Sequence, residues 1–207
     1  AAAWLIGDGA ALPESLSAVR QHTQGMRDQT PLTVTLLGCA LALHVMGLID
    51  DRRALPAIPK LLVMAAAACA IVVPFDVRLL EAADGAVGGA WASIVLTVAW
   101  FIAVTNAMNF IDNMDGLCGG VTVVAAGFFM VAALSQPAPQ WFVGMTLALL
   151  IGSSLGFLVF NAPARGPATI FMGDSGSLVI GFLLAFLTVR TTYVPDAETP
   201  GVSWYAV

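Results

Sequence analysis

The chain has 207 residues, of which 59% are hydrophobic and only 10% are charged, and its formal net charge is −5. A soluble domain is about half apolar and a quarter charged, so this composition excludes an ordinary soluble protein and favours one that crosses a membrane several times. The mean hydropathy of +0.89 supports the same conclusion. The acidic balance and the lack of a basic patch argue against a nucleic-acid partner.

Five apolar stretches have the length of membrane-spanning helices, and a sixth is shorter, since about 20 mostly apolar residues cross the hydrocarbon core. In chain order they are residues 31–49, 58–74, 91–110, 117–134, 141–160 and 177–191. Short polar connections rich in Pro and Gly separate them. The sequence therefore predicts an all-α, polytopic transmembrane helical bundle that forms one domain over residues 1–207. Because the chain begins without Met and inside an apolar run, we expect it to be incomplete at both ends.

Alternation of the spans predicts that the first, third and fifth spans end at the same membrane face. Aspartates gather at these ends or just before the sixth span: Asp50, Asp51, Asp112, Asp115 and Asp174. Trp91, Trp141 and Trp204 would then lie at the opposite face, as an interfacial aromatic belt. Lys and Arg residues divide evenly between the faces but are denser in the short connections on the Asp side, which favours a cytoplasmic Asp face.

Carboxylates beside a bilayer are costly and persist mainly where they bind something or line a wet cavity. Three acidic clusters on one face therefore predict a divalent cation with anionic substrates. The adjacent Asp50 and Asp51 repel unless a cation or a proton lies between them, and a carboxylate with a raised pKa would serve as a base. The alternative is a solvated loop in which the pair is neutralised locally by Arg52 and Arg53.

The second cluster is a series of polar residues with a spacing of three: Asn106, Asn109, Asp112 and Asp115. On a regular α-helix each step of three turns back by about 60°, so the series spreads over the surface. In a 3₁₀ or broken helix end the four side chains would align more closely. Amides and carboxylates together suit a nucleotide base, a ribose or sugar hydroxyls, and the alternative is polar capping of a helix end.

The third cluster is the sequence GDSGS at residues 173–177. Free N–H groups at the start of the sixth span would hold phosphate, and Asp174 would ligate Mg²⁺ together with substrate phosphates; an N-cap with a turn is the alternative. Phe171 is either a stacking platform or a buried aromatic. Asn161 and Arg165 either reach phosphate or are ordinary polar groups of a connection.

His44 lies inside the first predicted span and has no second metal ligand at a useful spacing, so a structural role is predicted for it. The three cysteines fall in or beside apolar runs. Their placement is typical of small buried hydrophobic residues rather than of a disulfide framework.

Three segments together resemble a known family. They are GLIDDRRALPAIPKLL, NAMNFIDNMDGLCGG and FMGDSGSLVIG, and in this order they are similar to the signature segments of the polyprenyl-phosphate N-acetylhexosamine-1-phosphate transferases of glycosyltransferase family 4. The resemblance covers residues 31–191. It implies transfer of a sugar phosphate from a UDP-N-acetylhexosamine to polyprenyl phosphate in cell-envelope synthesis, with UMP as the second product. It also implies Mg²⁺, with Mn²⁺ as a substitute, and a site on the cytoplasmic face of the inner membrane.

The resemblance also implies residue roles. Asp50 would deprotonate or orient the lipid phosphate, with Asp51 as its catalytic partner, and Asp174 would ligate the metal ion. Substrate contacts are predicted at Lys60, Asn109, Asp112, Asp115, Asn161 and Phe171. Direct displacement at the β-phosphorus is favoured over a covalent aspartyl-phosphate route.

The Asp-pair segment resembles the branch that uses UDP-N-acetylglucosamine or a related sugar. The runner-up is the branch that transfers phospho-N-acetylmuramoyl-pentapeptide. Asn113 and Met64 depart from the family pattern, in which Gly and Gln are common at these positions. A cation transporter is an alternative of another class, but its acids would lie near the middle of the membrane. A non-catalytic membrane scaffold is a further alternative, and a homodimer surrounded by membrane lipids is compatible with all of these interpretations.

Overall fold

The computed structural model describes residues 17–81, 84–136, 139–163 and 166–191, with the backbone alone for residues 17–28 and 86–87. All regular structure within these ranges is helical. The helices are α1 (Ser17–Arg52), α2 (Ala57–Phe75), α3 (Asp84–Val87), α4 (Trp91–Ile111), α5 (Leu117–Leu134), α6 (Trp141–Asn161) and α7 (Gly173–Arg190). Six of the described helices are long and apolar enough to cross a membrane, and only the single-turn α3 is not. The predicted all-α, multi-pass membrane architecture is confirmed.

Two helices begin several residues earlier than the predicted spans. Helix α1 starts at Ser17, and Pro31, where the predicted span begins, lies inside it. The predicted span is shorter because hydropathy marks only the apolar part of this helix, Gln29–Arg52. Helix α7 starts at Gly173, so Asp174 lies in its first turn rather than in a connection before it. This second shift matters for the site, since the N–H groups in the first turn of a helix have no partner within the helix.

Helix α7 is the centre of the bundle. In its membrane window 61% of the residues are buried, against 22–28% in the other candidate spans. It packs between α1 and α4, and α2 closes this four-helix group by contacting both α1 and α4. The rings of Phe182 in α7 and Phe101 in α4 are fully buried, and their centroids are 5.1 Å apart.

Glycines allow α7 to approach its two neighbours closely. A Cβ atom at Gly47 of α1 would lie 2.4 Å from the Cα atom of Ser175, and one at Gly181 would lie 2.7 Å from the Cα atom of Thr105 in α4. Small residues at such crossings are the usual means by which membrane helices bring their backbones together. The two crossings therefore determine how α7 is placed between α1 and α4.

Helices α5 and α6 pack mainly against each other and form a hairpin beside this four-helix group. One link between this hairpin and the rest of the structure is the side chain of Asn161. The amide oxygen of Asn161 accepts the N–H of Gly116 at 2.7 Å, and its amide nitrogen donates to the carbonyl of Ile170 at 2.9 Å. The link thus joins the start of α5, the end of α6 and the segment that leads into α7.

A second polar cluster lies at the other end of the bundle. Arg78 pairs with Asp76 and Asp84, and its guanidinium also donates to the hydroxyl of Ser93 at 2.8 Å. These contacts attach the connection between α2 and α4 to the first turn of α4. Trp91 and Trp141 begin helices at this same end, as predicted for the aromatic belt, whereas Trp204 lies outside the described residues.

Candidate active site

The three acidic segments meet at one end of the bundle. The ammonium nitrogen of Lys60 lies 2.8 Å from Oδ2 of Asp50 and 3.1 Å from Oδ2 of Asp174. The other oxygen of Asp174 accepts a hydrogen bond from Nδ2 of Asn109 at 2.8 Å. These contacts join residues from the end of α1 and the starts of α2 and α7 with one near the end of α4, as the alternation of spans predicts.

Asp50 is held by the turn between α1 and α2. Its Oδ1 atom accepts the backbone N–H of Leu55 at 2.6 Å, while Oδ2 faces Lys60. Pro56 precedes the first residue of α2, so the chain is extended there and brings Lys60 back towards Asp50. The described ion pair of Asp50 is therefore with Lys60 and not with the neighbouring Arg52 or Arg53.

Asp51 has a different set of partners. Its two carboxylate oxygens accept the backbone N–H groups of Asp174 at 2.8 Å and of Ser175 at 3.2 Å. The prediction that free N–H groups at the start of this helix hold phosphate is therefore wrong for these two amides, because a carboxylate from α1 already occupies them.

Asp112 ends α4 and is only 8% exposed. Burial raises the pKa of its carboxyl group to about 6, and the charges of Asp174 and Asp51 act in the same direction. A hydrogen bond from the backbone N–H of Gly173 opposes this shift only in part. Asp112 thus lies against the first turn of α7 on the α4 side.

The four polar residues with a spacing of three do not converge. Asn109 and Asp112 reach α7, whereas the Nδ2 atom of Asn106 donates to the carbonyl of Ile102 at 2.8 Å and faces the sulfur of Met64. Asp115 is exposed on the turn that follows α4 and makes no ion pair within the described residues. The series spreads because α4 remains a regular α-helix until Ile111.

Two further predicted substrate contacts differ in their surroundings. Phe171 is 70% exposed just before α7, so its ring is available for stacking. Asn161 is 4% exposed, and both ends of its amide are used by Gly116 and Ile170. Asn161 therefore has a structural role in this structure, and its contact with substrate stays a prediction. Arg165 lies outside the described residues.

The structure places two residues at this site for which the sequence predicts no individual role there. Nδ1 of His44 lies 3.0 Å from the carbonyl oxygen of Ser175, and the hydroxyl of Ser177 accepts from Asn109 at 2.9 Å. A usable signal for His44 exists in the sequence, because positions 44, 47 and 51 lie on one face of a helix. The three cysteines are free thiols, as predicted; Cys39 and Cys118 are buried as expected, whereas Cys69 is exposed.

The carboxylates at this site would share the binding of Mg²⁺ with other ligands. Within the described residues, no three His, Cys, Asp or Glu side chains converge closely enough to hold a metal ion by themselves. Mg²⁺ is commonly bound by one or two carboxylates, with phosphates and water as the remaining ligands. The partly exposed carboxylate of Asp174 fits such a shared site, in which phosphorylated substrates supply the other oxygens.

Comparison with known proteins assigns the family. Residues 33–192, which contain all nine predicted site residues, match the model of glycosyl transferase family 4. The chain belongs to glycosyl transferase family 4. The predicted family is therefore confirmed, and it is a family of transferases.

Two kinds of named protein are similar to this family 4 chain. It is 34% identical over 179 residues to a probable undecaprenyl-phosphate N-acetylglucosaminyl 1-phosphate transferase of Bacillus subtilis (strain 168), which covers 82% of this chain and 46% of that protein. It is 40% identical over 112 residues to the phospho-N-acetylmuramoyl-pentapeptide-transferase of Acetivibrio thermocellus, which covers 54% and 31%. The protein of that name from Bacillus cytotoxicus is 39% identical over 99 residues, covering 48% and 29%. The chain spans less than half the length of these relatives.

Proposed function

We propose that this chain belongs to a transferase that moves N-acetylhexosamine 1-phosphate from a UDP-sugar to polyprenyl phosphate. The products are a polyprenyl-pyrophosphoryl sugar and UMP. The observation that carries the proposal is the contact of Lys60 with Asp50 and Asp174 at one end of a membrane bundle. A lipid acceptor accounts for the position of this charged cluster at the ends of membrane-spanning helices.

The proposed reaction is a direct displacement. An oxygen of the lipid phosphate forms a bond to the β-phosphorus of the UDP-sugar, and the bond from that phosphorus to the oxygen shared with the α-phosphate breaks. UMP leaves with the shared oxygen. A phosphate monoester has its second pKa at about 6, so the lipid phosphate is largely a dianion at neutral pH and does not require a base.

This chemistry assigns Asp50 to orientation rather than to proton transfer. Both of its oxygens already accept hydrogen bonds, from Leu55 and Lys60. Asp50 would hold the Lys60 ammonium beside the reacting phosphates, where a fixed positive charge stabilises the transition state of phosphoryl transfer. When bound at Asp174, Mg²⁺ would neutralise charge on the pyrophosphate.

The UDP-sugar would be bound by several of the predicted site residues. Asn109 and Asp115 would contact the nucleotide or the sugar, and the exposed ring of Phe171 would stack on uracil. Asp112 would make its contact with the UDP-sugar from its buried position beside Gly173. The charged end of the bundle would face the cytoplasm, where UDP-sugars are made.

UDP-N-acetylglucosamine or the UDP derivative of a related sugar is the favoured donor, because the relative named as an N-acetylglucosaminyl 1-phosphate transferase matches most of the chain. The alternative donor is UDP-N-acetylmuramoyl-pentapeptide. It is retained because the relatives named for that transfer have higher identity over about half of the chain. A panel of donors separates the two.

The test uses the full-length protein in lipid nanodiscs with polyprenyl phosphate, Mg²⁺ or Mn²⁺, and a panel of UDP-sugars. UMP release is expected with one N-acetylhexosamine donor, and Asp174→Asn is expected to abolish it. Asp76→Asn is the matched control, because Asp76 lies at the other end of the bundle with φ of 53°, a conformation that Asn tolerates. Folded protein that releases no UMP with any donor would refute the proposal, and cation flux in vesicles would favour a transporter.

A further inference from the structure

We infer that His44, Gly47 and Asp51 form a clamp on α1 that holds the first turn of α7 and thereby positions Asp174. We call these three residues the α1 clamp. They are three and four residues apart, so they lie along one face of α1. Asp51 is then a positioning residue rather than a base or a metal ligand. The kinetic consequences rest on the proposed function, whereas the structural consequence does not.

The hydrogen bonds of Asp51 are those of a helix cap supplied by another helix. The first turn of a helix leaves its N–H groups without partners, and Met172, which precedes α7, has no side-chain capping bond. Asp51 fills this gap with one oxygen on the N–H of Asp174 and the other on the N–H of Ser175. Both oxygens are therefore occupied by the backbone of the segment that carries the proposed metal ligand.

The steric fit around these bonds is equally close. A Cβ atom at Gly47 would lie 2.4 Å from both N and Cα of Ser175, so any side chain there would push the turn away. A Cβ atom at Gly173, where φ is +69°, would lie 2.8 Å from both oxygens of Asp51. Glycine is thus required on both sides of the contact, and the backbone of the turn rests directly against α1.

His44 adds the third contact. Its Nδ1 atom lies 3.0 Å from the carbonyl oxygen of Ser175, the same residue whose N–H is bound by Asp51. The peptide groups on both sides of Ser175 are therefore held by α1. Asp112 meets the N–H of Gly173 from the α4 side, so the turn is gripped from two directions.

The clamp explains why the carboxylate of Asp174 has a defined orientation. With its backbone fixed by α1, its two oxygens reach Lys60 and Asn109, which belong to two other helices. A displacement of the turn by about 1 Å would misalign both contacts, and errors of that size strongly reduce catalysis. Loosening the clamp should therefore impair metal use and turnover while every reacting carboxylate remains present.

The structural test measures amide hydrogen exchange, with residue resolution, in the full-length protein without metal or substrate. We expect the amides of Asp174 and Ser175 to exchange about tenfold faster in Asp51→Ala and in Gly47→Ala than in the wild type. Gly38→Ala is the matched control, because it lies on the same helix and a Cβ atom there meets nothing within 4 Å. Unchanged exchange at these two amides in both clamp variants would overturn the inference. If Asp51→Ala does not fold, Gly47→Ala decides the question.

The kinetic test uses Gly47→Ala, which leaves all acidic residues in place. We expect kcat to fall by about tenfold or more and the Mg²⁺ concentration for half-maximal rate to rise, with KM for the UDP-sugar unchanged. His44→Leu should cause a smaller loss of the same kind, and His44→Asn, which keeps a donor near the Nδ1 position, should restore it. Wild-type kinetics in Gly47→Ala would contradict the positioning role, and equal loss in both His44 variants would remove His44 from the clamp. A wild-type protein without UMP release would refute the proposed function, and the exchange result would still decide the clamp.

Discussion

At the scale of single residues, the site contains more carboxylates than cations to balance their charge. Asp50, Asp51, Asp112 and Asp174 lie within one connected set of contacts, and Lys60 is the only cation that pairs with them in the described part of the chain. Mutual repulsion of these carboxylates is therefore only partly offset. Such a group is suited to binding a further cation together with its anionic ligands.

The first prediction concerns Lys60. Replacing it by Gln would leave Asp50 and Asp174 without their shared ammonium, so the metal-free protein should lose about 1–3 kcal/mol of stability. Added Mg²⁺ should recover part of this loss, because it replaces the missing positive charge. Thermal unfolding with and without Mg²⁺ measures both effects. Arg53→Gln removes an exposed cation near the same turn and serves as the control; an equal destabilisation in the two variants would contradict the prediction.

The second prediction concerns Asp112, whose pKa is raised to about 6 in the folded protein. The pKa of an unfolded Asp is about 3.9, so between these two pKa values the folded state binds more protons than the unfolded state. Stability should therefore fall as the pH rises through this window, and the full cost should be present above it.

Asp112→Asn removes this titration and keeps an oxygen for the N–H of Gly173. We expect the variant to be more stable than the wild type at pH 7 without metal, by up to about 3 kcal/mol, and to show a flatter dependence on pH between about 4 and 6. Thermal unfolding across this pH range provides the measurement. Asp115→Asn removes one negative charge from the same turn as a control. A slope unchanged by Asp112→Asn would show that another group is responsible.

At the scale of secondary structure, the start of α7 depends on its neighbours. Residues 173–177 contain two glycines, an Asp and two serines, which favour a turn more than a helix when considered alone. The helix nevertheless begins at Gly173, because Asp51 and Asp112 bind the N–H groups that its first turn would otherwise leave unpaired. Its first residues are helical because of contacts from other elements.

The third prediction concerns Asn161, which links the α5–α6 hairpin to the segment before α7. Asn161→Ala would leave the N–H of Gly116 and the carbonyl of Ile170 without this partner, so stability should fall by about 1–3 kcal/mol. KM for the UDP-sugar should change little in the protein that remains folded. Unfolding curves and steady-state kinetics test both parts, with the exposed Asn113→Ala as the control. A large rise in KM without loss of stability would instead support the predicted substrate contact.

At the scale of the whole molecule, the two ends of the bundle differ in their charge pairing. One end holds the carboxylate group around Lys60, and the other holds Arg78 paired with Asp76 and Asp84. At the Arg78 end the guanidinium contacts both carboxylates, and this cluster attaches a connection to α4. The carboxylate-rich end retains excess negative charge, which is the arrangement expected where a cation and phosphorylated substrates bind.

The fourth prediction assigns these ends to the two sides of the membrane. Met114 is exposed on the turn at the carboxylate end, and Glu81 is exposed at the other end. In a full-length protein without native cysteines, Met114→Cys should react with a membrane-impermeant maleimide only from the cytoplasm, and Glu81→Cys only from outside. Labelling in intact cells and in inverted vesicles measures this. Reaction of both positions from one side would contradict the topology, and a reversed pattern would contradict the cytoplasmic site.

The sequence by itself determined the class of fold, the approximate spans and the placement of the acidic segments at one common end of the bundle. These properties follow from hydropathy and from alternation along the chain, which are local and additive. The segments around Asp50, Asp112 and Asp174 also indicated the family, because in this order they resemble its signature segments, and the match over residues 33–192 confirmed it.

Only the tertiary structure decided which atoms meet. Asp50 and Asp51 are neighbours in sequence, yet one binds Lys60 and the other binds the backbone of α7, because adjacent residues on a helix point about 100° apart. Nothing in the sequence around Asn161 indicates that its amide bonds to Gly116 and Ile170, since these partners follow from the packing of the helices. Such pairings depend on how helices rotate and cross, and these angles are set by close contacts such as that of Gly47 with Ser175, between residues far apart in the sequence.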